Sequence, residues 1–130
     1  MKDVTFYWLP NCSTCQKATR WLERRGVTIT TFRDIKQDPL TPLEIVRMSA
    51  RLGGSVELFS KRAVKYREMK LNERVLTDDA MLDLMSGEYT FLKRPIIQIG
   101  EKAIAGFFEM SFERILEDNY FEKRKAEINE

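Results

Sequence analysis

Residues 4–15 read VTFYWLPNCSTC, and this stretch decides the fold. Val4, Phe6 and Trp8 alternate with less apolar neighbours, and such alternation of β-branched and aromatic residues is typical of a strand. The segment Leu9-Pro10-Asn11 then breaks the pattern. The sequence predicts a strand from about Val4 to Trp8, followed at once by a short loop that carries both cysteines of the chain.

An amphipathic helix follows this loop. Between Thr14 and Arg25 apolar residues recur at a spacing of three to four, while charged residues face elsewhere. The apolar positions are Ala18, Trp21 and Leu22. The helix is expected to end near Gly26. A second strand is predicted from Val27, Ile29 and Phe32. A strand, helix, strand order implies two parallel strands with a right-handed crossover.

Helices are predicted for the middle of the chain, about residues 40–90. Thr41 can cap a helix, Pro42 suits its first turn, and Glu44 completes a capping box. A further helix start lies at residues 77–79, where acidic residues follow a threonine, as the helix dipole favours. Short helices are expected between the two.

The last part of the chain returns to strands. Residues 94–100, RPIIQIG, indicate a strand entered through a proline, and residues 102–105 its hairpin partner. A final helix is expected over residues 109–120, followed by a charged end over residues 121–130. We therefore expect one α/β domain over residues 1–130, with a mixed sheet of two parallel strands plus an antiparallel hairpin and a helical insertion.

Composition narrows the class of protein. The chain has 130 residues, of which 43% are hydrophobic and 32% charged, so it can build a packed core. Core packing is the favoured role for Phe107 and Phe108, and a substrate wall or a partner-docking patch are the alternatives. A net charge of +2 is too small to favour nucleic-acid binding. No apolar run approaches the roughly 20 residues of a membrane span, and the first residues lack a signal peptide's pattern. We expect a cytoplasmic protein that binds neither a membrane nor a specific nucleic-acid sequence.

Two absences exclude several kinds of site. The chain contains no histidine, which rules out a Ser-His-Asp or Cys-His catalytic arrangement and a histidine-ligated zinc. Its two cysteines are too few for a four-thiolate zinc site or a cluster held by one chain. We expect no metal and no bound cofactor.

Cys12 and Cys15 form a CxxC pair where the first strand meets the first helix, a placement typical of thioredoxin-like redox sites. A thiolate at a helix N terminus faces unpaired N–H groups and the positive end of the helix dipole, which lower its pKa. Cys12, nearer the open loop, is the predicted nucleophile, and Cys15 is the predicted resolving residue that closes an internal disulfide. Two alternatives are half of an intersubunit metal site and a pair of buried small residues.

Arg94 and Pro95 are the second feature with a chemical interpretation. In a thioredoxin-type site a proline that opens the third strand, commonly after a cis peptide bond, lies beside the cysteines. Arg94 would then lie near Cys12, lower its pKa and clamp an oxyanion. By itself Pro95 also fits a plain edge-strand entry. Arg62 is a candidate second cation, although a basic run on a helix is usually a solvated face.

Together these motifs resemble the arsenate reductase (ArsC) and Spx family over essentially the whole chain. The matching features are Cys12 after a strand, the helix start at residues 41–44, residues 60–62, residues 77–79 and residues 94–97. The resemblance implies a thioredoxin-like sheet with an inserted helical subdomain, in agreement with the pattern above.

The arsenate reductase branch implies one set of roles. A single cysteine, matched here by Cys12, attacks arsenate, three arginines bind the oxyanion, and glutathione with glutaredoxin completes the reduction. Arg94 matches one of these arginines. The arginine expected in the middle helix falls on Ser60, and the one expected after the third strand falls near Gly106 and Phe107.

The Spx branch implies a CxxC disulfide that switches a regulator bound to the C-terminal domain of the RNA polymerase α subunit. Cys12 and Cys15 match that switch, Arg62 and Arg94 match its arginines, and Gly54 aligns with a glycine used in the polymerase contact. We therefore expect a thiol-redox protein and slightly favour a redox-sensing transcription regulator. The alternative is an ArsC-like reductase or thiol–disulfide oxidoreductase whose partner is glutaredoxin, thioredoxin or glutathione.

Overall fold

A four-stranded mixed sheet forms the centre of the molecule. The computed structural model describes residues 2–121. Its strands are β1 (Val4–Trp8), β2 (Thr31–Asp34), β3 (Ile96–Ile99) and β4 (Lys102–Ala105). They lie in the order β2-β1-β3-β4, with β1 and β2 parallel and the other two pairs antiparallel. The prediction of two parallel strands plus an antiparallel hairpin is confirmed.

Helices cover both faces of this sheet. They are α1 (Ser13–Arg24), α2 (Pro42–Leu52), α3 (Ser55–Leu58), α4 (Val64–Glu68), α5 (Asp78–Gly87) and α6 (Glu109–Asn119). Short 3₁₀ turns occupy Leu71–Glu73 and Tyr89–Phe91. The run from α2 to α5 is the helical insertion predicted between the second and third strands. Of the predicted charged end, residues 122–130 lie outside the described part of the chain.

The helix starts have the caps that the sequence predicts. The Thr41 side chain accepts a hydrogen bond from the Glu44 N–H, and the Glu44 carboxylate accepts one from the Thr41 N–H, so α2 begins with a complete capping box. Thr77 caps α5 in the same way through the Ala80 N–H. Each such cap contributes about 1 kcal/mol.

The second strand begins later than predicted. The sequence suggested a strand from Val27, whereas β2 begins at Thr31. Thr30 is the reason: its hydroxyl accepts from the Val4 N–H at 2.7 Å and donates to the Val4 carbonyl at 2.8 Å. Val27 is buried, and the Thr28 N–H donates to the Tyr120 hydroxyl at 3.2 Å. Thr30 keeps one backbone bond to β1, from its N–H to the Val4 carbonyl at 3.0 Å, and side-chain hydroxyls supply the other bonds before the strand starts.

Two apolar clusters lie on opposite faces of the sheet. On one face, β1 and β3 pack against α1 and α6; this cluster includes Phe6, Leu22, Ile97, Phe112 and Leu116. On the other face the inserted helices pack on the sheet; this cluster includes Ile35, Met48, Met85, Phe91 and Ile96. Neighbouring residues Ile96 and Ile97 fall in different clusters because strand side chains alternate between faces. Each large side chain buried in this way contributes roughly 1.5–3 kcal/mol.

None of the helices within residues 2–121 is both long enough and apolar enough to cross a membrane.

Candidate functional site

The cysteine loop is held in place by its own backbone. The Cys12 N–H donates to the Leu9 carbonyl at 3.0 Å, and the Cys12 carbonyl accepts from the Gln16 N–H at 3.0 Å. The Gln16 side-chain amide also donates to the Pro10 carbonyl at 2.8 Å. These bonds fold the chain between β1 and α1 into a tight turn and place Cys12 at the N-cap of α1.

The two thiols differ in exposure. Both cysteines are free, Cys12 being partly exposed and Cys15 completely buried. Cys15 lies on the inner face of α1, one turn after Cys12. A reagent from solvent therefore meets Cys12 first.

The pKa of the Cys12 thiol is below its ordinary value. Partial burial acts to raise this pKa, but the Cys15 N–H, the Cys15 thiol, the Arg94 charge and the Thr14 N–H together outweigh burial. These groups favour the thiolate of Cys12 over its neutral thiol. The direction is the one expected at a helix N terminus.

The pKa of the Cys15 thiol moves the other way, to about 12. Burial is the main cause, and the hydrogen bond and negative charge of Cys12 raise this pKa further. A backbone hydrogen bond with Leu9 and the Arg94 charge oppose the rise without overcoming it. Of the two thiols, Cys12 is therefore the one that loses its proton more readily.

Arg94 lies at the start of the third strand, and the Arg94-Pro95 peptide bond is cis. Its guanidinium Nη1 donates to the Leu92 carbonyl at 2.9 Å and more weakly to the Thr90 carbonyl at 3.4 Å. Its Nε is buried without a hydrogen-bond partner. The Pro95 carbonyl accepts from the Gly106 N–H at 2.8 Å. The proline segment is therefore anchored to the end of β4, and Arg94 contributes positive charge to both thiols.

Arg62 and Gly54 lie away from this group. Arg62 is exposed in a turn, where its N–H donates to the Ser60 hydroxyl at 3.3 Å. Gly54 precedes α3 with a φ of +145°, and no atom lies within 4 Å of where its Cβ would be. Among the contacts of residues 2–121, no hydrogen bond or ion pair joins either residue to a thiol. Cys12, Cys15 and Arg94 thus come together, whereas the other two do not.

A cleft of about 320 Å³ lies beside α1 and was not predicted from the sequence. Its lining residues are Lys17, Arg20, Trp21, Arg24, Phe107 and Glu109. The three cations recur along the helix at a spacing of three and four, a signal that was present in the sequence. Phe107 packs edge-on against Phe112 with ring centroids 4.9 Å apart, as a core residue should. Phe108 is 67% exposed, so the expectation that it packs in the core is wrong.

Within residues 2–121 no group of three or more metal-ligating side chains is arranged to hold a metal ion. The geometry instead combines a dithiol at a helix N terminus, a neighbouring arginine and a cis proline on a mixed sheet. These features define a thioredoxin-like α/β protein.

The sequence model of the ArsC family matches residues 7–115. The chain therefore belongs to the ArsC family, as its motifs predict.

Known relatives support this assignment. The uncharacterized protein YusI of Bacillus subtilis strain 168 is 35% identical over 114 residues, which cover 85% of this chain and 96% of YusI. The global transcriptional regulator Spx 1 of Bacillus cereus strain ATCC 14579 is 32% identical over 116 residues, covering 87% of this chain and 86% of the regulator. The crystal structure of an ArsC family related protein from Bacteroides fragilis superposes with a TM-score of 0.78 at 29% identity, covering 88% and 98% of the two chains.

Proposed function

We propose that this protein is a cytoplasmic dithiol–disulfide redox protein in which Cys12 attacks and Cys15 resolves. The observation that carries the proposal is the opposite displacement of the two thiol pKa values, below normal for the accessible Cys12 and up to about 12 for the buried Cys15. A partly exposed thiolate is suited to attack a disulfide, and a protonated thiol beside it is suited to attack the resulting mixed disulfide afterwards.

The first step is attack of the Cys12 thiolate on one sulfur of a partner disulfide. A Cys12–partner bond forms, the partner's disulfide bond breaks, and the partner's second sulfur leaves as a thiolate that takes a proton from solvent. Arg94 stabilises the attacking thiolate because its positive charge lowers the Cys12 pKa.

The second step is attack by Cys15 on the sulfur of Cys12. Formation of the mixed disulfide removes the negative charge on Cys12, which is one cause of the high Cys15 pKa. Cys15 then loses its proton more readily, forms the Cys12–Cys15 bond and releases the partner as a thiol. Two electrons pass from the dithiol to the partner, and a thiol reductant such as glutathione, glutaredoxin or thioredoxin restores the dithiol.

Mass spectrometry after exposure of the reduced protein to oxidised glutathione tests this sequence of steps. We expect an internal disulfide in the parent protein and a persistent glutathione adduct on Cys12 in Cys15→Ala. Cys12→Ser should form neither. A glutathione adduct that forms equally well in Cys12→Ser would assign the reactive thiol to Cys15 and overturn the proposal.

For the biological use of this chemistry we propose a redox switch on a transcription regulator, with the C-terminal domain of the RNA polymerase α subunit as its partner. The support is the similarity to Spx 1, a global transcriptional regulator, over 87% of the chain. The second cysteine also fits a switch, since a regulator of this kind needs a disulfide that can form within the chain.

The alternative is an ArsC-like reductase. Against it, Arg94, whose charge acts on both thiols, already donates from its Nη1 to the Leu92 carbonyl. In addition, Ser60 and Gly106 occupy the places where that branch has further arginines. Binding of the protein to the polymerase α C-terminal domain, measured in the reduced and oxidised states, distinguishes the two. Redox-dependent binding supports the switch, whereas arsenate-dependent turnover with glutaredoxin at an ordinary enzymatic rate contradicts it.

A further inference from the structure

A basic stripe runs along the exposed face of α1. It consists of Lys17, Arg20 and Arg24, three exposed residues at positions i, i+3 and i+7 of the helix. Residues at this spacing share one face of a helix. By the same geometry Ser13, the residue directly after Cys12, starts the row. The row of cations therefore extends along α1 toward Cys12.

Within residues 2–121, no ion pair joins these cations to an acidic side chain. Arg25, the next arginine along, is paired with Glu113 and lies over the Trp21 ring, 5.4 Å from its centroid. Among the described residues, no carboxylate comes within ion-pair distance of the three cations of the stripe. Like charges at this spacing destabilise a helix by a few tenths of a kcal/mol per pair, and an acidic ligand would relieve that repulsion.

The stripe forms one wall of the cleft of about 320 Å³. The opposite wall comes from Phe107 and Glu109, and Glu109 is held by the Trp21 indole N–H at 3.0 Å. Phe107 follows Gly106, whose N–H donates to the Pro95 carbonyl. The same loop thus borders both the cleft and the proline segment of the redox site.

We infer that this cleft docks an acidic segment of a partner protein, and that the disulfide or thiol of this partner reacts at Cys12. The inference rests on the proposed function and adds the kind of partner that the site selects. Lys17 lies five residues after Cys12, or roughly 7.5 Å of helix rise. The stripe itself spans about 10 Å, the length of about three residues of extended chain. A partner cysteine at Cys12 would therefore place the neighbouring acidic residues on the stripe.

The cleft fits a protein segment better than a nucleic acid. Three cations neutralise few phosphates, whereas salt-sensitive nucleic-acid binding commonly uses about 6–10 phosphate contacts. Trp21 and Phe107 in the lining offer apolar surface to the stems of peptide side chains. The whole chain carries a net charge of only +2, so this local concentration of cations stands out.

Matched peptides test the inference. One short peptide carries a single cysteine followed by glutamates, and the other carries glutamines in their place; each cysteine is activated as a mixed disulfide with 2-thiopyridine. Attack by Cys12 forms a bond to the peptide sulfur and releases pyridine-2-thione, whose absorbance gives the rate constant. At low salt we expect the reduced protein to react at least roughly tenfold faster with the glutamate peptide, as electrostatic steering allows. Added salt should remove the difference.

Two charge variants decide whether the stripe is responsible. The triple variant Lys17→Gln, Arg20→Gln, Arg24→Gln should react at similar rates with both peptides. The control Lys36→Gln, Arg67→Gln, Arg74→Gln removes the same number of exposed cations elsewhere on the surface and should keep the preference. Equal rates for the two peptides in the parent protein, or an unchanged preference in the stripe variant, would overturn the inference.

Peptides with serine in place of cysteine separate this inference from the proposed function. The binding of these peptides, measured by fluorescence anisotropy, needs no thiol chemistry. The glutamate peptide should bind more tightly than the glutamine peptide to the parent protein and to the control variant. If neither activated peptide releases pyridine-2-thione, the redox proposal fails. The binding of the serine peptides still tests whether the cleft prefers an acidic segment. A short single-stranded RNA that binds the stripe more tightly than the glutamate peptide would contradict the choice of a protein partner.

Discussion

The buried Cys15 thiol lowers the pKa of the Cys12 thiol while its own pKa rises to about 12. The two side chains lie one helical turn apart at the start of α1, so each is part of the other's electrostatic environment. This coupling favours the thiolate on Cys12, the residue that solvent reaches. Exchange with an external disulfide depends on that thiolate.

Arg94→Gln should raise the pKa of Cys12, because the substitution removes the positive charge that favours the thiolate. The rate of Cys12 alkylation by iodoacetamide as a function of pH, with the site assigned by mass spectrometry, measures the change. The alkylation curve should move to higher pH. Arg62→Gln is the matched control, since Arg62 is exposed and has no contact with either thiol. A curve that moves equally in both variants would contradict a specific role for Arg94.

Cys15→Ala should also raise the pKa of Cys12, because the Cys15 thiol is one of the groups that lower it. The same alkylation experiment applies. Cys15→Ser keeps a hydroxyl that can donate a hydrogen bond and should therefore give a smaller rise. If the alanine variant alkylates with the pH profile of the parent protein, the Cys15 thiol does not support the Cys12 thiolate.

The sequence predicted the placement of the cysteine pair and Arg94 better than the contacts around them. Cys12, Cys15 and Arg94 could be placed because strand and helix periodicity fixes where β1 ends, where α1 begins and where the proline strand starts. Burial of Cys15 and exposure of Cys12 follow from the same helix geometry. Nothing in the local pattern, however, indicated that the Arg94 guanidinium donates to the Leu92 carbonyl.

The parts that could not be predicted depend on contacts between distant segments. The late start of β2 follows from the Thr30 hydroxyl bonding to Val4, which lies 26 residues earlier. The cleft beside α1 exists because Phe107, which follows β4 much later in the chain, meets Trp21, with ring centroids 6.0 Å apart. Periodicity describes one segment at a time and carries no information about such pairs.

Gly54→Ala should lower the free energy of unfolding by about 1–3 kcal/mol, because a φ of +145° with a ψ of 163° is a conformation that essentially only glycine adopts. Open space around the position means that the cost lies in the backbone alone. Urea denaturation measures it. Gly87→Ala is the control, since Gly87 lies at the end of α5 outside the positive-φ region and also has open space; it should be neutral or slightly stabilising. An equal loss in both variants would contradict the backbone argument.

The same measurement bears on the polymerase proposal. If Gly54→Ala weakens binding to the polymerase α C-terminal domain, the loss is assigned to the contact only when the variant remains folded under the binding conditions. Urea curves for the variant provide that check.

The Arg33 guanidinium connects β2 to the capping box of α2. Its Nη2 donates to a Glu44 carboxylate oxygen at 2.9 Å, its Nη1 contacts the other oxygen, and its Nε lies 3.3 Å from Asp38. Because of the hydrogen bond from Arg33, the pKa of Glu44 falls to about 2. This pair therefore fixes the first inserted helix to the edge strand of the sheet.

Glu44→Gln should lower the free energy of unfolding at neutral pH by about 1 kcal/mol, a modest figure because the Glu44 side chain is 38% exposed and solvent screens the pair. Glutamine can still complete the capping box, so the loss isolates the charge. The pKa of Glu44 is lower in the folded protein than in the unfolded chain, where it is roughly 4.3. The stabilisation that Arg33 gives through the Glu44 charge is therefore present above this pH and is lost as pH falls toward 2. Urea denaturation from pH 7 downward should show the free energies of unfolding of the parent protein and Glu44→Gln converging below about pH 5.

Glu57→Gln, at an exposed carboxylate with no ion pair in the described chain, is the control and should show no such convergence. A difference for Glu44→Gln that stays constant over this range would show that Arg33 does not stabilise the fold through the Glu44 charge.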